Sequence, residues 1–225
     1  MPEVDLGLHG VTAVDAVDAV YADEHLLVFN KPAGLLSVPG RGKDKHDCLS
    51  LRAQNRYADA LIVHRLDMST SGLLLMARGA AMQTALSKLF EARQIYKRYV
   101  AVVDGQLAVT DGWQLIDLPI ALDWPNRPLR IIHHESGKPS QTRWQALSWD
   151  GRANTTRVEL QPLTGRSHQL RVHLLALGHP IVGDALYAPA AVQAKSPRLL
   201  LHANALRFQH PATGNDMTFE SAAPF

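Results

Sequence analysis

The sequence predicts an α+β protein built on one largely antiparallel sheet. Three observations lead there. Runs that read as short strands outnumber stretches with helical spacing. The gaps between many of those runs are of hairpin length. No repeat, low-complexity segment or clear linker divides the 225 residues, so one main domain is expected.

Taken in order, residues 1–24 form an acidic, alanine- and valine-rich extension, and the domain proper is expected over 25–225. His25 to Phe29 reads as a strand that Asn30-Lys31-Pro32 ends. A polar loop follows over 37–47, and Leu49 to Tyr57 reads as a short helix. Leu61-Ile62-Val63 and Leu73-Leu74-Leu75-Met76 are apolar runs around a polar turn, hence strand, loop, strand. Met82, Leu86, Leu89 and Phe90 recur at helical spacing, which predicts an amphipathic helix over Ala80 to Arg93. Tyr96 to Val103 alternates as a strand. Leu129 to His133, Thr142 to Ser148 and Thr155 to Gln161 read as further strands of the same sheet system. Ser167 to Leu177 is predicted helical, with Ser167 as N-cap and Gly178 as the stop. Leu199 to His202, Leu206 to Gln209 and Met217 to Glu220 complete the strands.

Composition narrows the function classes. The chain is 46% hydrophobic and 20% charged, as in ordinary globular proteins. No apolar run reaches membrane-span length, and the acidic N-terminus resembles neither a secretory signal nor a transit peptide. One cysteine, Cys48, excludes an internal disulfide. The cytoplasm is the expected compartment, and nothing points to an obligate oligomer. All six acids of residues 1–24 stand without a Lys or Arg, so the remainder carries 23 basic against 15 acidic residues. That balance suits a polyanionic partner.

The most informative stretch is His64-Arg65-Leu66-Asp67-Met68-Ser69-Thr70-Ser71-Gly72-Leu73. Its strand-loop-strand setting carries Asp67 and Arg65 to the edge of a core, where reactive groups tend to stand. The decamer resembles the HRLD-x-x-TSG-L signature of the RluA family of RNA pseudouridine synthases. Three further segments resemble the same family in the same order. They are Asn30-Lys31-Pro32-Ala33-Gly34, Lys97-Arg98-Tyr99-Val100-Ala101, and Leu163 to His173 (Leu-Thr-Gly-Arg-Ser-His-Gln-Leu-Arg-Val-His) with Gly178 to Asp184 beyond it. The resemblance implies the pseudouridine synthase fold, a long mixed, mostly antiparallel sheet with flanking helices and a central cleft. There is no room for the S4-type RNA-binding domain that relatives often add.

The chemistry implied is isomerisation. The bond from ribose C1′ to uracil N1 breaks, the base turns, and C5 takes its place, so no cofactor is required. The resemblance makes Asp67 the catalytic carboxylate, as a nucleophile or as a base at the ribose. It makes Arg166 the arginine that pairs with that aspartate and keeps it ionised. Tyr99 would stack on the detached base and help move the C5 proton. Arg65 would enter the space a flipped uridine leaves. His64, Thr70 and Arg171 are further candidates for RNA contact, with packing or turn-capping as the alternative for His64 and Thr70. The Trp124-Pro125-Asn126-Arg127 turn is another.

Eleven histidines invite a metal reading, but His168 and His173 do not share a helix face and no HExxH pattern occurs. No metal is expected. The uninterrupted motifs and short chain resemble the dual-specificity branch of the family, which acts on a 23S ribosomal RNA hairpin and a tRNA anticodon stem-loop. A single-substrate enzyme is the nearest alternative. A silent RNA-binding protein on the same fold is a third reading, and it would not require the acid.

Overall fold

The computed structural model describes residues 17–42, 45–108 and 112–225. The elements in its first half are β1 (Ala19–Ala22), β2 (Leu26–Lys31), α1 (Leu49–Arg56), β3 (Ala60–Ile62), β4 (Ser71–Arg78), α2 (Gly79–Glu91) and β5 (Tyr96–Asp104). Next come β6 (Gln114–Asp117), β7 (Ile120–Leu122), β8 (Arg130–Ile132), β9 (Gln141–Asp150) and β10 (Thr155–Pro162). The chain ends with α3 (Gln169–Ala176), α4 (Ala190–Gln193), β11 (Leu201–Gln209) and β12 (Asp216–Glu220).

The large sheet runs β1-β2-β4-β11-β5-β10-β9-β6, with β3 added beside β4 and β12 beside β11. Neighbours are antiparallel except at the centre, where β4 and β11 run parallel through two pairs, Ser71 opposite His202 and Gly72 opposite Ala203. Gly72 explains why the two strands can meet there. Its φ is +114°, and a Cβ would stand 2.3 Å from the Ala203 carbonyl oxygen and 2.5 Å from its nitrogen. Beyond these pairs the same edge of β4 takes β3, and that of β11 takes β12. Two antiparallel half-sheets are thus joined by a short parallel seam.

β2 and β4 are buried on both faces, which is why β4 reads as a continuous apolar run. Their residues alternate between two cores. Leu26, Val28, Leu73 and Leu75 pack with Met82 and Leu86 of α2. Leu27, Phe29, Leu74 and Met76 pack with Leu49 and Ala53 of α1. In the other half-sheet, Ala101, Trp144, Val158 and Leu160 pack with Leu170 and Leu174 of α3.

The α+β class and the mostly antiparallel sheet match the expectation, and several boundaries differ. Residues 1–16 of the expected extension lie outside the described residues. The sheet already begins within it, because β1 pairs with β2. The run at 129–133 is not part of the main sheet: β8 pairs with β7 as a separate ribbon. The runs at 199–202 and 206–209 belong to one strand, β11, with a register shift near its middle. The N-cap of α3 is His168 rather than Ser167, with no side-chain capping bond and a left-handed φ of 58°. Gly178 has φ +83°, as a helix stop requires.

Candidate active site

The loop between β3 and β4 carries Asp67, and the turn after β2 fixes both of its neighbours. Ser37 Oγ donates to the Leu66 carbonyl at 2.7 Å. Lys31 Nζ donates to the carbonyls of Leu35 at 2.7 Å, Pro32 at 2.8 Å and Met68 at 3.1 Å. The Gly34 N–H also donates to Met68 at 2.8 Å. Lys31 is fully buried, and that burial pushes its ammonium pKa down to about 8. The loop closes on itself where the Thr70 N–H donates to the Asp67 carbonyl at 3.1 Å. A carboxylate held this way has little backbone freedom, which suits a reacting group.

The arginine that meets Asp67 is Arg171. Its Nη1 donates to Asp67 Oδ2 at 3.3 Å, while Nε and Nη2 form a fork on Asp184 at 2.8 and 2.6 Å. Arg171 is 4% exposed and Asp184 1%. Burial opposes the guanidinium's charge, but Asp184 and then Asp67 outweigh it and push the pKa further up. Asp184 also accepts the N–H groups of Leu186 and Tyr187, and the Tyr187 ring lies 4.9 Å from the guanidinium carbon. A permanent positive charge is therefore locked beside the carboxylate from within the protein.

This arrangement corrects the expected roles of two arginines. Arg166 is exposed, and its Nε donates to the Pro139 carbonyl at 3.4 Å. It lines the cleft without reaching Asp67. Arg171, expected as an RNA contact, is buried in the ion-paired group instead. The loop that separates them is folded by Gln169. Its Oε1 accepts from Thr164 Oγ1 and the Arg166 N–H, and its Nε2 donates to Gln141 O and Thr142 Oγ1.

Asp67 and Arg171 open onto a cleft of about 1100 Å³, whose lining includes Arg65, Tyr99, Lys97, Arg130, Arg166 and His168. Tyr99 comes from β5, opposite Ala203 of β11 and Leu160 of β10. Burial, and then the Asp67 charge, push its phenol up, so it stays protonated. Arg65 is exposed at the cleft. Thr70 is buried at its wall. His64 also lines the cleft, where its Nε2 accepts the Leu75 N–H at 2.9 Å and its ring lies 4.6 Å from Phe90. Trp124 is 66% exposed, with Arg127 over its ring at 4.9 Å.

Lys31, Ser37, Asp184 and Tyr187 were not singled out from the sequence, and His168 was weighed only as a metal ligand. Asp184 and Lys31 do fall within the family-like segments. A charge inside an otherwise apolar or turn-forming motif is the signal that marks them.

The family model described as RNA pseudouridylate synthase matches residues 25–176. The dual-specificity RNA pseudouridine synthase RluA of Escherichia coli K12 is 50% identical over 206 residues, covering 92% of this chain and 93% of that one. The Yersinia pestis protein of the same name is 48% identical, covering 92% and 98%. Among solved structures, human RNA pseudouridylate synthase domain containing 1 aligns with a TM-score of 0.78 at 31% identity, covering 95% of this chain and 86% of that one. With half its residues shared along nearly the whole length of such relatives, the chain belongs to the RluA family of RNA pseudouridine synthases, isomerases that act on RNA.

Proposed function

We propose that this enzyme isomerises uridine in two kinds of RNA, a 23S ribosomal RNA hairpin and a tRNA anticodon stem-loop, with Asp67 as the catalytic carboxylate. The observation that carries the Asp67 assignment is the buried Arg171, forked on Asp184 and bonded to Asp67 at the wall of a cleft of nucleotide-accepting size. Two substrates are proposed because relatives at about half identity are named as dual-specificity enzymes.

In this reading Arg65 enters the stack as the target uridine swings into the cleft. Asp67 acts at the ribose while C1′–N1 breaks, and Arg171 holds its charge. Tyr99 supports the free uracil face-on, and its protonated hydroxyl serves as a hydrogen-bond relay for the C5 proton. C5 gives up its proton and N1 takes one up, so the product keeps the composition of uridine and the reaction asks for no metal or cofactor. We propose a monomer as the working unit, since Asp67, Tyr99 and Arg171 line one cleft and no second subunit is needed to complete it. Among the described residues no helix is long and apolar enough to cross a membrane. Both proposed RNAs work in the cytoplasm, the compartment we propose.

Tritium release from 5-tritiated uridine in the two transcripts tests this, with Asp67→Asn as the isosteric control. Release from both, lost in the variant, is expected. Release from one transcript alone removes dual specificity. Full release by Asp67→Asn removes Asp67 from the chemistry.

A further inference from the structure

His168 departs from its surroundings in two ways. It adopts φ 58° and ψ 14°, a left-handed region that L-residues seldom occupy. Its side chain also makes no capping bond to the helix it precedes. The left-handed turn instead sends the imidazole back toward the cleft, edge-on to Tyr187 with ring centroids 5.6 Å apart. Such strain concentrates at functional sites.

The carboxylate facing the ring favours one tautomer. Tyr187 Oη accepts the backbone N–H of Arg130 at 2.9 Å and stands 2.6 Å from His168 Nδ1. The Arg130 bond leaves the hydroxyl its proton to give, and Nδ1 at 2.6 Å is placed to accept it. The imidazole then carries its own hydrogen on Nε2, which lies 4.0 Å from Asp67 Oδ1. The opposite tautomer would aim a bare lone pair at a carboxylate. Burial is the main force keeping the ring neutral. Asp67 and Asp184 favour its protonation, while Arg171 and Arg130 oppose it, and the net direction is down.

Resting on the reading of Asp67 as the catalytic carboxylate, we propose that His168 is a positioning residue whose Nε2–H, oriented by Tyr187, holds the carboxylate oxygen that Arg171 leaves free. Arg171 takes Oδ2 and His168 faces Oδ1, so the carboxylate plane is set from both sides. A small rotation of the ring or the carboxylate brings 4.0 Å to hydrogen-bond distance. A neutral donor suits this task. It orients the carboxylate without the second full charge that would weaken it as a nucleophile or base.

The test uses steady-state tritium release on whichever transcript the wild type turns over, with thermal midpoints measured alongside. His168→Phe keeps a ring and removes the donor. It is expected to lower kcat about 10- to 100-fold with KM within about 2-fold. His168→Gln restores an N–H donor at similar reach and is expected to recover most of kcat. Tyr187→Phe, which frees the tautomer, should lower kcat less than His168→Phe. Equal loss in the Phe and Gln variants, tracking their thermal midpoints, would reduce His168 to a packing residue and overturn the proposal. So would a raised KM at unchanged kcat, which would make His168 an RNA contact. Asp67→Asn separates the two levels. If it is inactive while His168→Phe is normal, only the His168 proposal fails. If it is active, the Asp67 reading fails and takes the His168 proposal with it.

Discussion

Acid should weaken this protein through His64, and the effect can be isolated. His64 Nε2 accepts the Leu75 N–H, so protonating that nitrogen breaks a bond to the central strand β4. Burial, and then the Lys97 charge, push its pKa from an ordinary 6.5 down to about 3. The unfolded chain therefore takes up a proton well before the folded one. Stability from this source is complete above about pH 6.5 and drains away as pH falls toward about 3. At about 1.4 kcal/mol per unit, lowering pH from 7 to 5 costs about 2 kcal/mol. His64→Gln offers an amide oxygen to Leu75 and does not titrate. Urea unfolding of both proteins at the two pH values is the assay. The wild type should lose about 2 kcal/mol more than the variant between them. His168, His173 and His202 are also shifted down, but they are common to both proteins and cancel in the difference. Parallel pH dependences would show that His64 does not hold the bond to β4 in the way described.

Arg171→Met leaves Asp184 buried and unpaired, so it should cost about 3–5 kcal/mol in chemical denaturation as well as turnover. A stable variant with wild-type turnover would dissolve the ion-paired group. Tyr99→Phe should keep the thermal midpoint and RNA affinity but lose most tritium release, and full release would confine Tyr99 to stacking. Gly72→Ala drives a methyl into the Ala203 backbone at a φ that alanine disfavours. It should lose at least about 3 kcal/mol in a urea titration or fail to fold, and an unchanged midpoint would mean the seam tolerates separation.

What could be read from the sequence followed from how completely each residue's surroundings determine it. β4 is enclosed on both faces, so its apolar run announces a strand. α2 buries one stripe, and its spacing survives in the sequence, whereas α3 is buried all round from Gln169 to Leu174. β1, β6 and β7 were not foreseen, because they are three or four residues long and owe their existence to a neighbour's edge. Asp67 and Tyr99 were legible through motifs. The partner of Asp67 was not, because Arg166 and Arg171 stand five residues apart on either side of a left-handed residue. Arg171 lies in α3, which carries it to Asp184 and Asp67, and Arg166 lies in the loop before it, a difference no count of residues reveals. Asp184 confirms the point: its burial depends on α3 arriving above it, a tertiary event.

The parallel seam has a consequence for the order of events during synthesis. Asp67 leads into β4 of the first half-sheet, whereas Tyr99 and Arg171 belong to the second. The strand that joins the halves, β11, spans Leu201–Gln209 and follows every strand it joins. Until it docks, β4 and β5 share no hydrogen bond, because β11 lies between them. A nascent chain can build each half-sheet early and still lack a working centre. The docking of β11 is therefore the step that brings Asp67 and Tyr99 to one cleft.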